Sequence, residues 1–126
     1  MQVLIVDGAN VVGSRPDGWW RDRAAAAGRL HDRLSTADLS QDEVVLVLEG
    51  RARSGVPAGR DGHVRTVHAP GSGDDAIVEV VVAQVGVGDG RAVVVVTADR
   101  ALRSRVEAAG AGIASPSWLL SRLGNG

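Results

Sequence analysis

Carboxylate side chains follow four separate apolar segments of the sequence. Asp7 closes the segment VLIV, Glu49 follows VVLVL, and Asp99 lies shortly after VVVV. Asp74 and Asp75 stand together after a further short segment that also reads as a strand. If these segments are parallel strands, their carboxyl ends meet at one edge of the sheet, and the acids meet there as well.

Such a group of acids needs neutralisation. Converging negative charges repel and destabilise a fold unless a cation or protons compensate them. Oxygen ligands suit Mg²⁺ or Mn²⁺, whereas zinc usually takes His or Cys. Simpler roles stay open for single members, because Asp74 and Asp99 could cap helices and Glu49 could be an ordinary exposed acid. Asp7 has no such explanation, since a polar turn rather than a helix is predicted after it, and the set predicts a metal site.

Strands and helices alternate along the chain. Apolar runs predict strands at 2–6, 44–48, 64–68, 92–97 and 111–114, and helices at 19–35, 74–85, 99–109 and 116–123. This order predicts an α/β fold whose central parallel sheet of about five strands is covered by helices on both faces. We find no repeat and no linker, so residues 1–126 are expected to form a single domain.

Two of these helices are assigned by the spacing of their apolar residues. Trp20 begins the apolar stripe of the helix 19–35. The predicted buried face of the helix 74–85 consists of Ile77, Val78, Val81, Val82 and Val85. The residues 50–63 are predicted as one long loop rich in glycine and arginine, which is unusual in a compact domain and suggests function.

The composition excludes several kinds of chemistry. The 126 residues include no cysteine, and all 14 basic residues are arginine. Thiolate nucleophiles, Cys-ligated zinc, Schiff-base lysines and the phosphate-loop lysine are therefore excluded. The net charge is −1, and no segment reads as a signal peptide or reaches the length of a membrane span, which predicts a soluble, cytoplasmic protein without a membrane partner. The oligomeric state stays open, including a homo-oligomer.

Three motifs resemble one known family. The segments D-G-A-N at 7–10, G-D-D-A-I-V-E at 73–79 and T-A-D-R-A-L-R at 97–103 resemble the NYN-domain branch of the PIN-like nucleases, in particular its bacterial YacP-like members. The closing segment A-G-A-G-I-A-S-P-S-W-L-L is similar to the last strand and helix of that family. The resemblance implies a three-layer α/β/α PIN-like (Rossmann-like) fold and metal-dependent cleavage of RNA. We expect the RNA substrate to be single-stranded.

The resemblance also implies a ligand set for Mg²⁺ or Mn²⁺. By position in the motifs, Asp7 and Asp99 would be metal ligands, and Asp75, with Asp74 beside it, would complete the acidic centre. Glu49 stands where relatives often carry an acid at the end of the second strand, so it is a further candidate ligand.

Two polar residues have supporting roles by the same resemblance. Asn10 would contact the metal-bound water or the phosphate, and Thr97 would orient the loop that carries Asp99. Some members of the family have another acid one helical turn beyond Asp99, where this chain has Arg103. That departure bears on whether one or two ions bind.

Arginines and a tryptophan are the candidates for RNA contact. The loop 50–63 and its border contain four arginines and only one acid, Asp61. A GC-rich genome would also explain many of the arginines, and core packing is the simpler explanation for Trp20 and Trp118. The residues predicted to contact RNA are Arg15, Trp19, Arg51, Arg53, Arg60 and Arg65.

Two other functions stay open on the sequence alone. The same metal centre could hydrolyse free nucleotides, which product analysis on an RNA oligomer and on nucleoside triphosphates would distinguish. The chain could also be a non-catalytic RNA-binding module on a decayed nuclease fold, and such a protein should not bind Mn²⁺. The retained acids favour the nuclease.

Overall fold

Six strands form one sheet at the centre of the molecule. The computed structural model describes residues 2–15, 17–39 and 43–124. The strands are β1 (Gln2–Asp7), β2 (Glu43–Leu48), β3 (Gly59–Asp61), β4 (Val64–His68), β5 (Ala92–Val96) and β6 (Gly112–Ala114). They lie in the order β3-β4-β2-β1-β5-β6, and every neighbouring pair is parallel except β3 and β4. The predicted α/β class is confirmed, with six strands rather than about five.

Helices cover both faces of this sheet. The helices are α1 (Gly8–Gly13), α2 (Arg23–Thr36), α3 (Gly73–Val85), α4 (Arg100–Ala108) and α5 (Pro116–Arg122), with two 3₁₀ helices at Trp19–Arg21 and Gly50–Gly55. One apolar cluster joins the sheet to α3 and α4, and a second joins it to α1, α2 and α5. The three-layer arrangement is therefore confirmed. No helix among the described residues is long and apolar enough to cross a membrane.

The central strands are buried on both faces, which explains their unbroken apolar sequences. In β1, Val3 and Ile5 belong to one cluster, while Leu4 and Val6 belong to the other. Strands of a parallel sheet with helices on both faces need apolar side chains at every position. Asp7 is the last residue of β1, and it is the first position after the buried apolar run at which a charged side chain occurs.

The prediction of a polar turn after Asp7 is wrong, because α1 begins at the next residue. Asp7 caps this helix, and its Oδ1 accepts a hydrogen bond from the backbone N–H of Asn10 at 3.3 Å. A Cβ on Gly8 would lie 2.7 Å from the carbonyl oxygen of Val47, so only glycine lets α1 lie this close to β2. A helix of six residues is too short to show a clear apolar period, which is why the spacing missed it.

The prediction that Trp20 packs in the core is also wrong. Its side chain is 55% exposed, whereas Trp118 packs against the core cluster as predicted. Helix α2 begins only at Arg23, because the side chain of Asp22 caps it by accepting from the N–H of Ala25 at 3.0 Å. Trp20 therefore lies in the preceding 3₁₀ helix, outside the buried face of α2.

The buried face of helix α3 agrees with the predicted one at Ile77 and Val81 but not at Val82 and Val85. Ala76, Ile77, Val80 and Val81 are buried, whereas Val82 is 57% and Val85 39% exposed. This helix is apolar around most of its circumference, so the spacing of valines cannot identify the face that packs.

The predicted loop 50–63 contains regular structure. It holds the second 3₁₀ helix and the edge strand β3, which pairs antiparallel with β4. This hairpin accounts for the extra strand.

Candidate active site

Four carboxylates meet at the carboxyl edge of the sheet. Asp7 ends β1, Glu49 follows β2, Asp99 follows β5, and Asp74 lies in the first turn of α3. Their charges affect one another: Asp74 and Glu49 each raise the pKa of Asp7, and Asp99 and Glu49 each raise the pKa of Asp74. The structure thus brings together acids that are far apart in the sequence.

Asp7 is the buried member of this group, with only 6% of its surface exposed. Its Oδ2 accepts a hydrogen bond from the hydroxyl of Thr97 at 2.9 Å, in addition to the bond from Asn10 to Oδ1. Burial is the largest influence and raises the pKa of Asp7, while these two hydrogen bonds lower it and the charges of Asp74 and Glu49 raise it further. The raised pKa means that the folded chain holds the charged form at a cost in stability.

Thr97 and Asn10 connect β1 to the turn that carries Asp99. The Thr97 hydroxyl accepts from the N–H of Asp99 at 3.2 Å, and Oδ1 of Asn10 accepts from the N–H of Ala98 at 2.8 Å. Asp99 also caps α4, with Oδ1 accepting from the N–H of Leu102 at 2.9 Å. The capping role considered for Asp99 is therefore present, and it coexists with a place in the acidic group.

Glu49 is held by the backbone at the start of α3. Its Oε2 accepts from the N–H of Gly73 at 3.0 Å, and a Cβ on Gly73 would lie 3.1 Å from the carboxylate carbon. The absence of a side chain on Gly73 allows this close approach. Asp74 is the residue after Gly73. Partial burial is the largest influence that raises the pKa of Asp74, and the charges of Asp99 and Glu49 raise it further. The charge of Arg105 lowers it.

The structure brings Asp74, rather than Asp75, to the other acids. Asp75 is exposed, and its Oδ1 accepts a charged hydrogen bond from Nη2 of Arg105 at 2.9 Å. Neighbouring residues of an α-helix point about 100° apart, so only one of the two can face the group. The packing of α3 therefore places Asp74, the expected neighbour of the ligand, closer to the other acids than Asp75, the expected ligand.

The donor set is suited to a hard divalent cation. The carboxylates present only oxygen atoms, which fits Mg²⁺ or Mn²⁺. In the described ranges, however, no three His, Cys, Asp or Glu side chains converge tightly enough to hold an ion as they stand. Binding would therefore require side-chain rotation. Asp74 and Glu49 are both partly exposed, and rotation of Glu49 would break its hydrogen bond from the N–H of Gly73.

The predicted arginines divide between the two ends of the sheet. Arg51 and Arg53 lie in the 3₁₀ helix just after Glu49, and Arg53 donates to the carbonyl oxygens of Gly50 at 3.1 Å and Ala69 at 3.4 Å. These two arginines therefore stay near the acidic edge.

Arg60 and Arg65 do not lie at that edge. Arg60 forms an ion pair of 2.6 Å with Glu43, the first residue of β2, and pairs with Arg65 across the β3–β4 hairpin. Glu43 lies opposite Val3, at the other end of the sheet from Asp7. The hairpin returns the chain to the amino ends of the strands, so these two predicted RNA-contacting residues lie away from the acids.

Arg15 and Trp19 lie on the helical face formed by α1 and α2. Arg15 lines a cavity of about 70 Å³ together with Arg29 and Arg33. Trp19 is half-buried rather than fully exposed, and its ring centroid is 5.3 Å from the guanidinium carbon of Arg23. It lines a groove of about 410 Å³ that also includes Gly8 and Glu49.

Sequence reasoning missed several residues near this groove. Trp20, Arg21 and Arg23 line a pocket of about 610 Å³ beside Arg51 and Arg53. The run W-W-R-D-R at 19–23 was the available signal, because two rings and two arginines in five positions are unusual for the buried start of a helix.

Thr97→Val should destabilise the protein by about 1–3 kcal/mol near neutral pH, because it leaves Oδ2 of the buried Asp7 without its hydroxyl donor. Loss of that hydrogen bond raises the pKa of Asp7 further. The penalty is therefore present above the folded pKa of Asp7 and shrinks as the pH falls through it. Urea unfolding at two pH values measures this, with Thr36→Val as the control, since Thr36 is an exposed threonine in α2. An equal loss in both variants would contradict the role of Thr97.

Two solved structures share this fold. Rae1 (YacP) from Bacillus subtilis superposes with a TM-score of 0.75 at 21% identity, covering 99% of this chain and 75% of that chain. A Trp-to-Leu variant of the same protein gives 0.74 at 20% identity, covering 99% and 76%. No protein-family model matches the sequence, and no curated protein matches it. The chain therefore has the three-layer fold of Rae1 (YacP), the fold that its three motifs imply.

Proposed function

We propose that this protein is a metal-dependent ribonuclease that hydrolyses phosphodiester bonds of single-stranded RNA at the carboxyl edge of the sheet. The observation that carries the proposal is the meeting of Asp7, Glu49, Asp74 and Asp99, two of which have raised pKa values through burial and mutual repulsion. The resemblance of three motifs to PIN-like nucleases and the shared fold with Rae1 (YacP) support it.

The four carboxylates are the residues that would hold Mg²⁺ or Mn²⁺. When bound, such an ion supplies an activated water and neutralises charge on the reacting phosphate. Asp7 is the buried member of the set and is hydrogen-bonded to Thr97 and Asn10, whereas Glu49 and Asp74 are partly exposed. The capping bond keeps Asp99 at the end of β5, close to the others.

Asn10 has a donor available for the substrate. Its Oδ1 accepts from the N–H of Ala98, which leaves the Nδ2 hydrogens to donate to a phosphate oxygen or to a water. Thr97 acts through its neighbours, since one hydroxyl orients the Asp7 carboxylate and accepts from the backbone of Asp99. It is a positioning residue.

The function is tested by incubating the protein and Mn²⁺ with an end-labelled single-stranded RNA and, separately, with nucleoside triphosphates. The expected result is cleavage of the RNA to products with 3′-hydroxyl and 5′-phosphate ends, and no cleavage in excess chelator. Hydrolysis of the triphosphates with intact RNA would instead assign a phosphohydrolase. Tight RNA binding without Mn²⁺ binding or cleavage would assign a non-catalytic module.

Arg51 and Arg53 are expected to bind backbone phosphates next to Glu49. Replacing both with Ala should weaken binding of single-stranded RNA for every sequence tested, and should reduce the slope of log K against log salt by about 0.7 for each phosphate that the variant no longer binds. Arg60→Gln should leave the slope unchanged, because Arg60 is paired with Glu43 at the opposite end of the sheet. Fluorescence anisotropy over a salt series measures these slopes. A reduced slope only in Arg60→Gln would place the binding surface at the hairpin.

A further inference from the structure

The pocket beside the acidic edge is unusually basic and carries an exposed ring. Its volume is about 610 Å³, and its walls come from the first 3₁₀ helix, the start of α2, the second 3₁₀ helix and the end of β4. The side chains that matter here are those of Trp20, Arg21, Arg23, Arg51, Arg53 and His68.

The charges of this pocket are uncompensated. Among the described residues, none of the four arginines forms an ion pair with a carboxylate. The one acid in the wall, Asp22, uses its side chain to cap α2. Four guanidinium groups against one engaged carboxylate make a site for an anion, and arginine is suited to phosphate because its planar fork can donate two hydrogen bonds at once.

Trp20 gives the same pocket a surface for a planar ring. More than half of its side chain is exposed, at 55%, and the guanidinium carbon of Arg21 lies 5.7 Å from its ring centroid. Exposed tryptophan beside arginine is the combination with which proteins bind unpaired bases and their phosphates.

The walls of the pocket are held in place by close backbone packing. A Cβ on Gly55 would lie 2.0 Å from the carbonyl oxygen of Ala24, so the second 3₁₀ helix packs directly on the backbone of α2. Arg53 is anchored at its other side by the carbonyl oxygens of Gly50 and Ala69. The two walls that carry Arg23 and Arg53 are therefore in direct backbone contact with each other.

The pocket continues into the groove at the acidic edge. Arg23 and Gly50 line both, and the groove contains Glu49 together with Gly8 and Ala9, the two residues after Asp7. A linear polymer bound in both the pocket and the groove would have one part at the acids and another at Trp20.

We infer that the pocket is a binding site for an unpaired nucleotide of the RNA, with its base stacked on Trp20 and its phosphates bound by Arg51, Arg53 and Arg23. This inference rests on the proposed function and extends it. The site selects single strands, because a base within a duplex is already stacked and paired and cannot reach a ring in a pocket.

The test measures binding without chemistry. A fluorescently labelled oligouridylate and a labelled blunt-ended RNA duplex are titrated into the protein in excess chelator, and anisotropy is followed. The wild type should bind the single strand more tightly than the duplex. Trp20→Ala should weaken single-strand binding by about 10-fold, the effect of losing one stacked base. Trp20→Phe should restore most of it.

Two matched variants serve as controls. Trp118→Phe alters a ring that packs against the core, and Arg122→Ala removes one positive charge from α5, so neither should change the affinity. The oligouridylate should quench tryptophan fluorescence in the wild type and in Trp118→Phe, and much less in Trp20→Ala. Circular dichroism confirms that each variant is folded.

Failure of this inference can be distinguished from failure of the proposed function. Unchanged single-strand affinity in Trp20→Ala, or equal wild-type affinity for the blunt-ended duplex, would overturn the nucleotide site even if Mn²⁺-dependent cleavage is found. Binding that depends on Trp20, together with no cleavage under any metal, would support the site and overturn the nuclease.

Discussion

Asp7→Asn should reduce Mn²⁺-dependent cleavage of single-stranded RNA by at least about 100-fold, because even the outer-shell partners of a metal ligand contribute roughly 10- to 100-fold. The amide keeps the shape of the carboxylate and can still accept from the N–H of Asn10, so the fold should persist. Removal of the charge takes away an anionic ligand at the centre of the acidic group. Single-turnover cleavage of a labelled RNA measures the loss.

The pair Asp74→Asn and Asp75→Asn gives the sharper form of this experiment. Both substitutions remove one charge from the first turn of α3, at neighbouring positions. Asp74 interacts with Asp99 and Glu49, whereas Asp75 is exposed and paired with Arg105. Asp74→Asn should therefore lose cleavage as Asp7→Asn does, and Asp75→Asn should keep most of it.

Two outcomes would contradict this assignment. Full cleavage in Asp7→Asn, or cleavage in excess chelator, would reject a metal-dependent nuclease at this edge. Loss in Asp75→Asn with activity retained in Asp74→Asn would show that α3 turns its other acid toward the substrate.

Mn²⁺ should stabilise the protein strongly, and this is the second large effect that we expect. An ion that binds only the folded chain adds about 2.7 kcal/mol at a hundredfold excess over its dissociation constant. The physical basis is that burial, and to a lesser extent repulsion between the carboxylates, raises the pKa values of Asp7 and Asp74 in the metal-free chain. Differential scanning calorimetry should show a clear rise in Tm with Mn²⁺, and a much smaller one with Na⁺ at matched ionic strength.

Asp74→Asn should reduce this increment and also raise the metal-free stability relative to Asp75→Asn. The two variants lose the same charge near the amino end of α3, so they differ mainly in the repulsion removed from the acidic group and in the Arg105 ion pair. The smaller Mn²⁺ increment and the higher metal-free stability should appear together in Asp74→Asn. A metal-free Asp74→Asn protein no more stable than Asp75→Asn would mean that the acids do not repel significantly.

The pH dependence of the metal-free protein follows from the same two groups. Asp7 and Asp74 have folded pKa values above their ordinary value of 3.8, so the folded chain binds more protons than the unfolded chain just above that pH. Their contribution to stability therefore falls as the pH rises through their folded pKa values, and is recovered on acidification. The gain on lowering the pH should be smaller in Asp74→Asn, and the Mn²⁺ increment should shrink in the same range because protons compete with the ion.

Chain order and apolar patterning were enough to establish the class of the fold and the edge at which the acids lie. Apolar runs without alternation can be accommodated only in strands covered on both faces, and helical segments between them require parallel connections. Once the strands are parallel, residues that follow them must lie at one edge. Asp7, Glu49 and Asp99 were therefore located from their order in the chain, and the structure has all three at the carboxyl ends of their strands.

Packing between distant segments sets which side chains face the centre. Asp74 and Asp75 are adjacent, and only the packing of Ile77 and Val81 against the sheet fixes the rotation of α3 that turns Asp74 inward. Helix α1 exists because Gly8 fits against the backbone of β2, a contact that no local pattern reveals.

Contacts between distant parts of the chain also decide where the basic residues lie. The β3–β4 hairpin carries Arg60 to Glu43, away from the acids, while the late start of α2 leaves Trp20 exposed beside Arg51. Periodicity reports which faces are apolar, but the rotation of a helix and the path of a hairpin depend on contacts between distant parts of the chain. Those contacts separate the residues at the acidic edge from those at the opposite end of the sheet.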